Sequence, residues 1–373
     1  MKVAISTIID QDNYGNRLQN YANQEILKSI GVEAVTLYTP DDIETRYRTE
    51  AMKRPVNELK RRMRNTLFSM LAKLPVNNEK LNFQHRHSKF VKFTNKHINQ
   101  TPVIVKGADL SALNEQYDYF LTGSDQVWNH TFRFELEKDF LTFADPHKRI
   151  AYSPSFGVSE LPEILHDKYR TMINEMASLS VREHAGANII KQLTGKEADV
   201  LIDPTMMLSS AKWREVATKP VCLPKKKYIL TYVLGTYTAS FKQFLEELKT
   251  KQNLEVINLL DKKNRDTYAI DPAEFVYLID HAEVMVTDSF HGAVFSIIMK
   301  TPFVIFERQD NIASMNSRIE TLTKTFNLES RLSSNIKTVE DVYNINFDAV
   351  HSILKQEQEK SRHYLKRALK LEN

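Results

Sequence analysis

The sequence predicts an α/β protein made of two Rossmann-like, doubly wound domains, and three observations support this fold class. Short apolar runs of strand length alternate with segments whose apolar residues recur at helical spacing. Several of these runs end in polar clusters, where open α/β sheets bind their ligands. The pattern also restarts after Trp213, and 373 residues are enough for two or three domains.

The boundaries follow from that pattern. We expect an N-terminal domain over residues 1–205, with a basic helical insert at 46–92, and a C-terminal domain over 206–345. We interpret Asp203, Pro204 and Thr205 as the hinge between them. A charged helix at 346–373 should pack back onto one of the domains.

The first predicted unit is a strand at 3–9, a helix at 16–29 and a strand at 34–37. Polar side chains should lie at the crevice end of its first strand: Asn13, Asn16, Arg17 and Gln19. Amides and a guanidinium in that place suit sugar hydroxyls or an anion. The alternative, which we weigh equally, is loop solvation and helix capping.

A strand at 117–121 leads into Thr122–Asn129, read as TGSDQVWN. Asp125 is a candidate general base or acceptor of a sugar hydroxyl, and Trp128 could stack on a sugar ring. Their alternative roles are helix capping for Asp125 and core packing for Trp128. A strand at 179–181 places Arg182 at another crevice end, where its fork could bind a carboxylate or phosphate or a local acid.

The sequence is organised around residues 283–292, EVMVTDSFHG, which predict a strand followed by the start of a helix. Unpaired backbone N–H groups at a helix start favour an anion. Ser289, Phe290 and His291 lie on that first turn, and Gly292 permits close approach of backbone or ligand. His291 could transfer a proton beside a bound anion, or could only hydrogen-bond a neighbouring carbonyl. Asp288, Ser289 and His291 are too close in sequence to form a hydrolase triad.

Composition bounds the function. The net charge of +4 makes no case for nucleic acid, and one cysteine excludes an internal disulfide and a cysteine-based zinc site. We expect a cytoplasmic protein, since the sequence has neither a signal peptide nor an apolar span. Residues 46–92 carry a net charge of +10 and could touch an anionic membrane, although internal packing of their apolar stripe (59–74) is the favoured interpretation.

Several motifs together resemble the polysaccharide pyruvyl transferase family: NYGNRLQNYA, TGSDQVWN, AYSPSFG, SVRE, IDPT and TDSFHGAVFSI. The resemblance runs from about residue 3 to about residue 326. It implies two domains facing a cleft, similar to the B-type glycosyltransferase fold. It also implies phosphoenolpyruvate as co-substrate, no metal or other cofactor, and a pyruvate ketal on two hydroxyls of one sugar.

The resemblance also implies roles for single residues. Arg182 and His291 match family residues for donor binding and catalysis, with Asp125 as a second catalytic candidate. Some members have arginine and leucine where this chain has Ser289 and Phe290. The missing cation should be replaced by the amides at Ser289, Phe290 and Gly292, by Arg318, or by another cation.

We therefore expect a pyruvyl transferase acting on a glycan acceptor, which could be lipid-linked at the inner membrane face, with two domains that close to exclude water. The acceptor would meet Asn13, Asn16, Arg17, Gln19 and Trp128. One alternative is a B-type glycosyltransferase that uses a nucleotide sugar. Another is a non-catalytic assembly protein of a glycan pathway.

Overall fold

The computed structural model describes residues 1–39, 79–104, 107–131, 136–221, 223–308 and 316–371. The apolar stripe predicted at 59–74 lies outside these residues. Within them, the strands are β1 (Lys2–Ser6), β2 (Glu33–Thr36), β3 (Tyr119–Thr122), β4 (Arg149–Ala151), β5 (Ser180–Val181), β6 (Asp199–Val200), β7 (Tyr228–Tyr232), β8 (Glu255–Asn258), β9 (Val284–Thr287) and β10 (Phe303–Ile305).

The α-helices of the described residues connect these strands. They are α1 (Tyr14–Ser29), α2 (Glu79–His97), α3 (Leu136–Asp139), α4 (His166–Asn174), α5 (His184–Thr194), α6 (Ser210–Val216), α7 (Ala239–Gln252), α8 (Arg265–Tyr268), α9 (Pro272–His281), α10 (Phe290–Met299), α11 (Asn316–Thr325) and α12 (Phe347–Ala368). No described helix is both long enough and apolar enough to span a membrane.

Two parallel four-stranded sheets form the framework. The first has the order β2-β1-β3-β4 and the second the order β10-β9-β7-β8, while β5 and β6 pair separately. Every residue of β7 and of β9 is buried, because helices cover both faces of a parallel sheet. The predicted α/β class, with two Rossmann-like domains, is confirmed.

The two sheets are joined by a common hydrophobic core. One cluster of buried side chains includes Val3 and Ile5 of β1 as well as Leu230 of β7. Tyr14 of α1 belongs to the same cluster, and its ring stacks on Phe275 of α9 with centroids 4.3 Å apart. The domains therefore share apolar packing in addition to facing each other across a cleft.

The terminal helix α12 packs back against both halves. Near its start, Nε2 of His351 lies 2.9 Å from the carbonyl oxygen of Ile297. Further along, Gln358 Nε2 donates to the carbonyl of Met206 at 2.6 Å, and Tyr364 Oη donates to that of Ala151 at 2.6 Å. The helix thus ties the second sheet region to the first.

Helix α2 bridges the domains with part of the basic segment. Arg86 is buried and donates from Nη1 to Tyr14 Oη and to the carbonyl of Tyr268, both at 2.7 Å. Lys89 pairs with Glu274 of α9 at 2.5 Å. Within the described part of the predicted membrane contact, residues 79–92, these two cations therefore bind the protein itself.

Candidate functional site

The start of α10 is built by two short polar residues after β9. Ser289 caps the helix, its hydroxyl accepting from the backbone N–H of Gly292 at 3.4 Å. Asp288 accepts from the backbone N–H groups of Leu234 and Gly235, each at 2.7 Å, and burial raises its pKa. These bonds fix the turn that presents His291 towards the other domain.

His291 faces a carboxylate of the N-terminal domain. Its Nε2 lies 3.5 Å from Oδ2 of Asp203, a distance for an ion pair, and makes no hydrogen bond within the described part of the chain. The His291 side chain is only 9% exposed. The face of the ring, at Nδ1, lies against the backbone of Gly15, at the start of α1.

Asp203 is the centre of a polar cluster that also contains Ser124, Arg182, Thr205 and His291. Its Oδ2 accepts from Arg182 Nη1 at 2.7 Å and from Ser124 Oγ at 3.0 Å, while its Oδ1 accepts from the N–H and the hydroxyl of Thr205. Burial by itself would raise the pKa of Asp203. The charges of His291 and Arg182 and the donated hydrogen bonds instead hold its pKa well below the ordinary value.

Arg182 follows β5, and its guanidinium has N–H donors that Asp203 does not use. Its Nη2 lies 3.8 Å from Oδ1 of Asp125, and neither Nη2 nor Nε makes a hydrogen bond among the described residues. The guanidinium lies over the ring of Phe290, 4.4 Å from its centroid. A buried guanidinium with spare donors is suited to a carboxylate or phosphate.

Asp125 is held in an unusual backbone conformation, with a φ of 84° in a region that disfavours side chains. Its Oδ2 accepts from Asn16 Nδ2 at 3.1 Å and its Oδ1 from the N–H of Gln126 at 2.9 Å. Burial would raise its pKa, but Arg182, His291, the Asn16 hydrogen bond and Arg318 together lower it. Asp125 is therefore ionised at neutral pH, and functional constraint is a common cause of such strain.

Two cavities meet at this cluster. The interdomain cavity, about 350 Å³, is lined by residues of both domains, including Asn13, Asp125, Asp288, Ser289 and His291. The arginine cavity, about 270 Å³, is lined by Arg182, His184, Asp203, Glu357 and Lys360 among others. Phe290 and Arg318 line both cavities, so they form the boundary between them.

The charges of the two cavities differ. Among the described residues lining the interdomain cavity, five carboxylates (Asp125, Asp288, Glu307, Glu320, Glu329) outnumber three cations (Arg308, Arg318, Lys324). In the arginine cavity, three cations (Arg182, Arg318, Lys360) outnumber two carboxylates (Asp203, Glu357). Burial and the charge of Arg182 lower the pKa of Arg318 to about 10, which leaves it protonated at neutral pH.

The structure thus brings together most of the predicted catalytic and donor residues. Arg182 and His291 share one carboxylate oxygen, and Asp125, Ser289, Phe290 and Arg318 surround them. Gly292 is different, because a Cβ at this position would lie 2.6 Å from Oγ1 of Thr287. Its missing side chain lets α10 pack closely on β9, whereas contact of Gly292 with a ligand stays a prediction.

The predicted acceptor residues mostly serve the protein interior. Trp128 is fully buried and stacks on Phe140 with centroids 4.5 Å apart, so it cannot stack on a sugar. Arg17 and Gln19 are also fully buried and bond to Ile8 and Thr7, respectively. Burial lowers the pKa of Arg17 to about 10.

Asn13 and Asn16 have different places. Asn16 is buried and acts on the site through Asp125, which its amide holds. Asn13 lines the interdomain cavity and also caps α1. Of the predicted acceptor set, Asn13 is therefore the residue that the structure leaves in contact with the cavity.

The sequence interpretation missed Asp203, Ser124 and Gly15. The sequence pattern favours a hinge role for Asp203, although this residue directly follows an apolar run, as Arg182 does. The rule that polar residues at strand ends meet at one edge would have found it. The described residues contain no group of three His, Cys, Asp or Glu side chains that could hold a metal ion.

Comparison with known proteins gives a family and several distant structures. The family model described as "Polysaccharide pyruvyl transferase" matches residues 13–311. No curated protein sequence matches the chain.

Among solved structures, the S. aureus MnaA–UDP complex is 10% identical, with a TM-score of 0.49, and the alignment covers 100% of this chain and 97% of that one. Acinetobacter baumannii MurG is 10% identical (TM-score 0.40, 100% and 99% covered). Arabidopsis thaliana UGT89C1 is 10% identical (TM-score 0.42, 99% and 98% covered).

Proposed function

Because this chain belongs to the polysaccharide pyruvyl transferase family, we propose that it transfers pyruvate from phosphoenolpyruvate to two hydroxyls of one sugar, in the biosynthesis of a surface polysaccharide. The product is a cyclic ketal, and inorganic phosphate leaves. The observation that carries the proposal is the convergence of Arg182 and His291, from different domains, on Oδ2 of Asp203.

We assign the donor to the side of the cluster where Arg182 lies. Phosphoenolpyruvate carries a phosphate and a carboxylate, and the arginine cavity has an excess of cations. The Nε and Nη2 of Arg182, which make no hydrogen bond within the described residues, supply donors, and Arg318 supplies a second guanidinium. Arg318 thereby takes the place of the arginine that other members have at position 289.

The acceptor sugar suits the interdomain cavity. Its carboxylates and the amide of Asn13 can accept from and donate to hydroxyl groups, while their negative charge disfavours an anionic donor. Asp125 points into this cavity. Because its pKa is lowered, it would accept a sugar proton only weakly, and orienting the hydroxyl is its better role.

His291 is the proton-transfer group of the proposed reaction. It delivers a proton to the methylene carbon of phosphoenolpyruvate, and a sugar hydroxyl attacks the adjacent carbon. The carbon–oxygen bond to phosphate then breaks, and the second hydroxyl attacks the same carbon to close the ring. One hydroxyl proton returns to the imidazole of His291, and the other leaves with the phosphate. Asp203 stabilises the protonated imidazole because its carboxylate is ionised and adjacent.

The test uses phosphoenolpyruvate with a panel of acceptors, such as methyl hexosides and UDP- and GDP-hexoses. We expect phosphate release with at least one acceptor, and a fall of about 100- to 10,000-fold in kcat for His291→Ala. Arg182→Lys keeps a charge beside Asp203 but loses the fork, so the Kd for phosphoenolpyruvate should rise about 10- to 100-fold. Lys300→Ala, which changes an exposed lysine paired with Asp348, is the control.

The outcomes separate the hypotheses. Absence of both phosphoenolpyruvate binding and phosphate release would overturn the proposal. A rise in Tm with UDP but none with phosphoenolpyruvate would favour the nucleotide-sugar glycosyltransferase instead. Binding of neither ligand would favour the non-catalytic assembly protein.

A further inference from the structure

The backbone of Gly15 lies unusually close to the ring of His291. Gly15 is the second residue of α1. A Cβ placed on it would lie 1.9 Å from Nδ1, 2.2 Å from Cγ and 2.5 Å from Cε1 of His291. These distances are far below any van der Waals contact, so no other residue type fits at position 15 while His291 keeps its present orientation.

The backbone itself does not demand glycine here. Gly15 is absent from the glycines with positive φ, namely Gly31, Gly107, Gly157 and Gly195, and it lies in regular helix. Glycine is a poor helix former, and alanine would ordinarily stabilise the helix at this position. The cost of glycine is offset by the space that it leaves for the imidazole.

The residues on either side of Gly15 anchor the backbone of this turn, and so fix the space that the imidazole occupies. Tyr14 donates from its hydroxyl to the carbonyl of Ile270, at 3.0 Å, and stacks on Phe275 of the other domain. Asn16 donates its backbone N–H to the capping Asn13 and its side-chain amide to Asp125. The first turn of α1 is therefore fixed on both sides of Gly15.

We propose that Gly15 is the positioning residue of His291: its bare backbone packs against the face of the imidazole at Nδ1, the carboxylate of Asp203 lies beside Nε2, and together they set the orientation of the ring. The part of this inference that concerns activity rests on the proposed function. The part that concerns packing does not.

The experiment is a double-mutant cycle between Gly15→Ala and His291→Ala, read by Tm. In the wild-type background, Gly15→Ala should lower Tm, because the new methyl group collides with the ring. In the His291→Ala background the ring is gone, so Gly15→Ala should leave Tm unchanged or raise it. An equal loss of Tm in both backgrounds would overturn the inference.

A kinetic measurement tests the positioning role. Gly15→Ala should lower kcat at least tenfold while KM for phosphoenolpyruvate changes less than twofold, since the donor is assigned to Arg182 and Arg318 and not to the first turn of α1. Lys28→Ala, at an exposed position of the same helix, is the control and should keep kcat. A wild-type kcat in Gly15→Ala would contradict the positioning role of Gly15. Full activity of His291→Ala would instead contradict the proposed function, and the Tm cycle would then still test the contact between Gly15 and His291.

Discussion

At the scale of single residues, Asp203 is the counter-ion that allows the guanidinium of Arg182 to be buried beside the imidazole of His291. Arg182 has 1% of its side chain exposed and Asp203 none. Burying a charge costs several kcal/mol unless a partner and hydrogen bonds compensate it. Asp203 provides that compensation by accepting from Arg182, Ser124 and Thr205 at once.

Replacing this carboxylate should therefore be costly. In Asp203→Asn, Arg182 loses its buried counter-ion, and we expect the free energy of unfolding to fall by about 3–5 kcal/mol. Urea denaturation measures the change. Glu197→Gln, which removes an exposed partner of Lys191, should change stability by at most about 1 kcal/mol and serves as the control.

The same variant should alter the response to acid. Since folding lowers the pKa of Asp203, its ionised form contributes stability that is fully present above the unfolded value, about 3.9. That contribution is lost as the pH falls below this value, towards the lower folded pKa. Urea midpoints from about pH 7 to about pH 3 should fall less in Asp203→Asn than in the wild type; equal slopes would contradict the assignment.

At the scale of elements, α1 differs most from its expected role. Its amide side chains form a buried ladder: Gln19 donates to Thr7, Asn23 to Gln19, and Gln24 to Thr36. These bonds join the helix to the first sheet. These amides thus bond within the protein interior, and only the first turn of the helix reaches the site.

Tyr14 tests how strongly this first turn depends on the other domain. In Tyr14→Phe the hydroxyl that donates to Ile270 and accepts from Arg86 is lost. We expect the free energy of unfolding to fall by about 1–3 kcal/mol, because two buried groups lose a partner. Burial holds the pKa of Tyr14 at about 12, so the hydroxyl stays neutral under assay conditions.

Chemical denaturation with urea measures this change. The matched control is Tyr343→Phe, since the buried hydroxyl of Tyr343 makes no hydrogen bond within the described residues. That variant should be neutral to within about 0.5 kcal/mol. A similar loss in both variants would show that the Tyr14 hydroxyl has no special role.

The sequence predicted elements better than contacts. The strand–helix–strand order around residues 283–306 was correct because apolar runs, a capping serine and a Thr-Pro break all mark it locally. The convergence of Arg182 and His291 also followed from the rule for strand ends. The family, too, was correctly identified from the motifs.

The sequence did not predict which polar and aromatic side chains are buried. Trp128, Arg17 and Gln19 have side chains that suit either a ligand or the interior, and only the packing of distant elements decides between them. Gly15 shows the same limit, since its requirement comes from a ring 276 positions later in the chain.

At the scale of the whole molecule, the common core joins the two domains. Domains that share an extensive apolar interface move little relative to each other. Buried side chains of both sheets, such as Ile5 and Leu230, belong to one cluster, and α2 and α12 bridge the halves. Large closure of the cleft, expected from the sequence, is therefore not favoured by this packing.

Because the two domains share a hydrophobic core, they should unfold together. We expect a single calorimetric transition, with a van't Hoff enthalpy within about 10–20% of the calorimetric enthalpy, because neither half can lose its packing alone. Asp203→Asn should lower the midpoint of that whole transition. Two resolved transitions, with only one of them shifted, would contradict a shared core.

The boundary between the two cavities has a consequence for inhibitors. Both cavities are preformed. A rigid compound that fits either cavity can therefore bind without the free-energy cost of rearranging the protein. A compound long enough to occupy both cavities must pass the aromatic ring of Phe290, which lies near the guanidinium groups of Arg182 and Arg318. The affinity of such a bisubstrate mimic would then be governed by the rotation of one side chain.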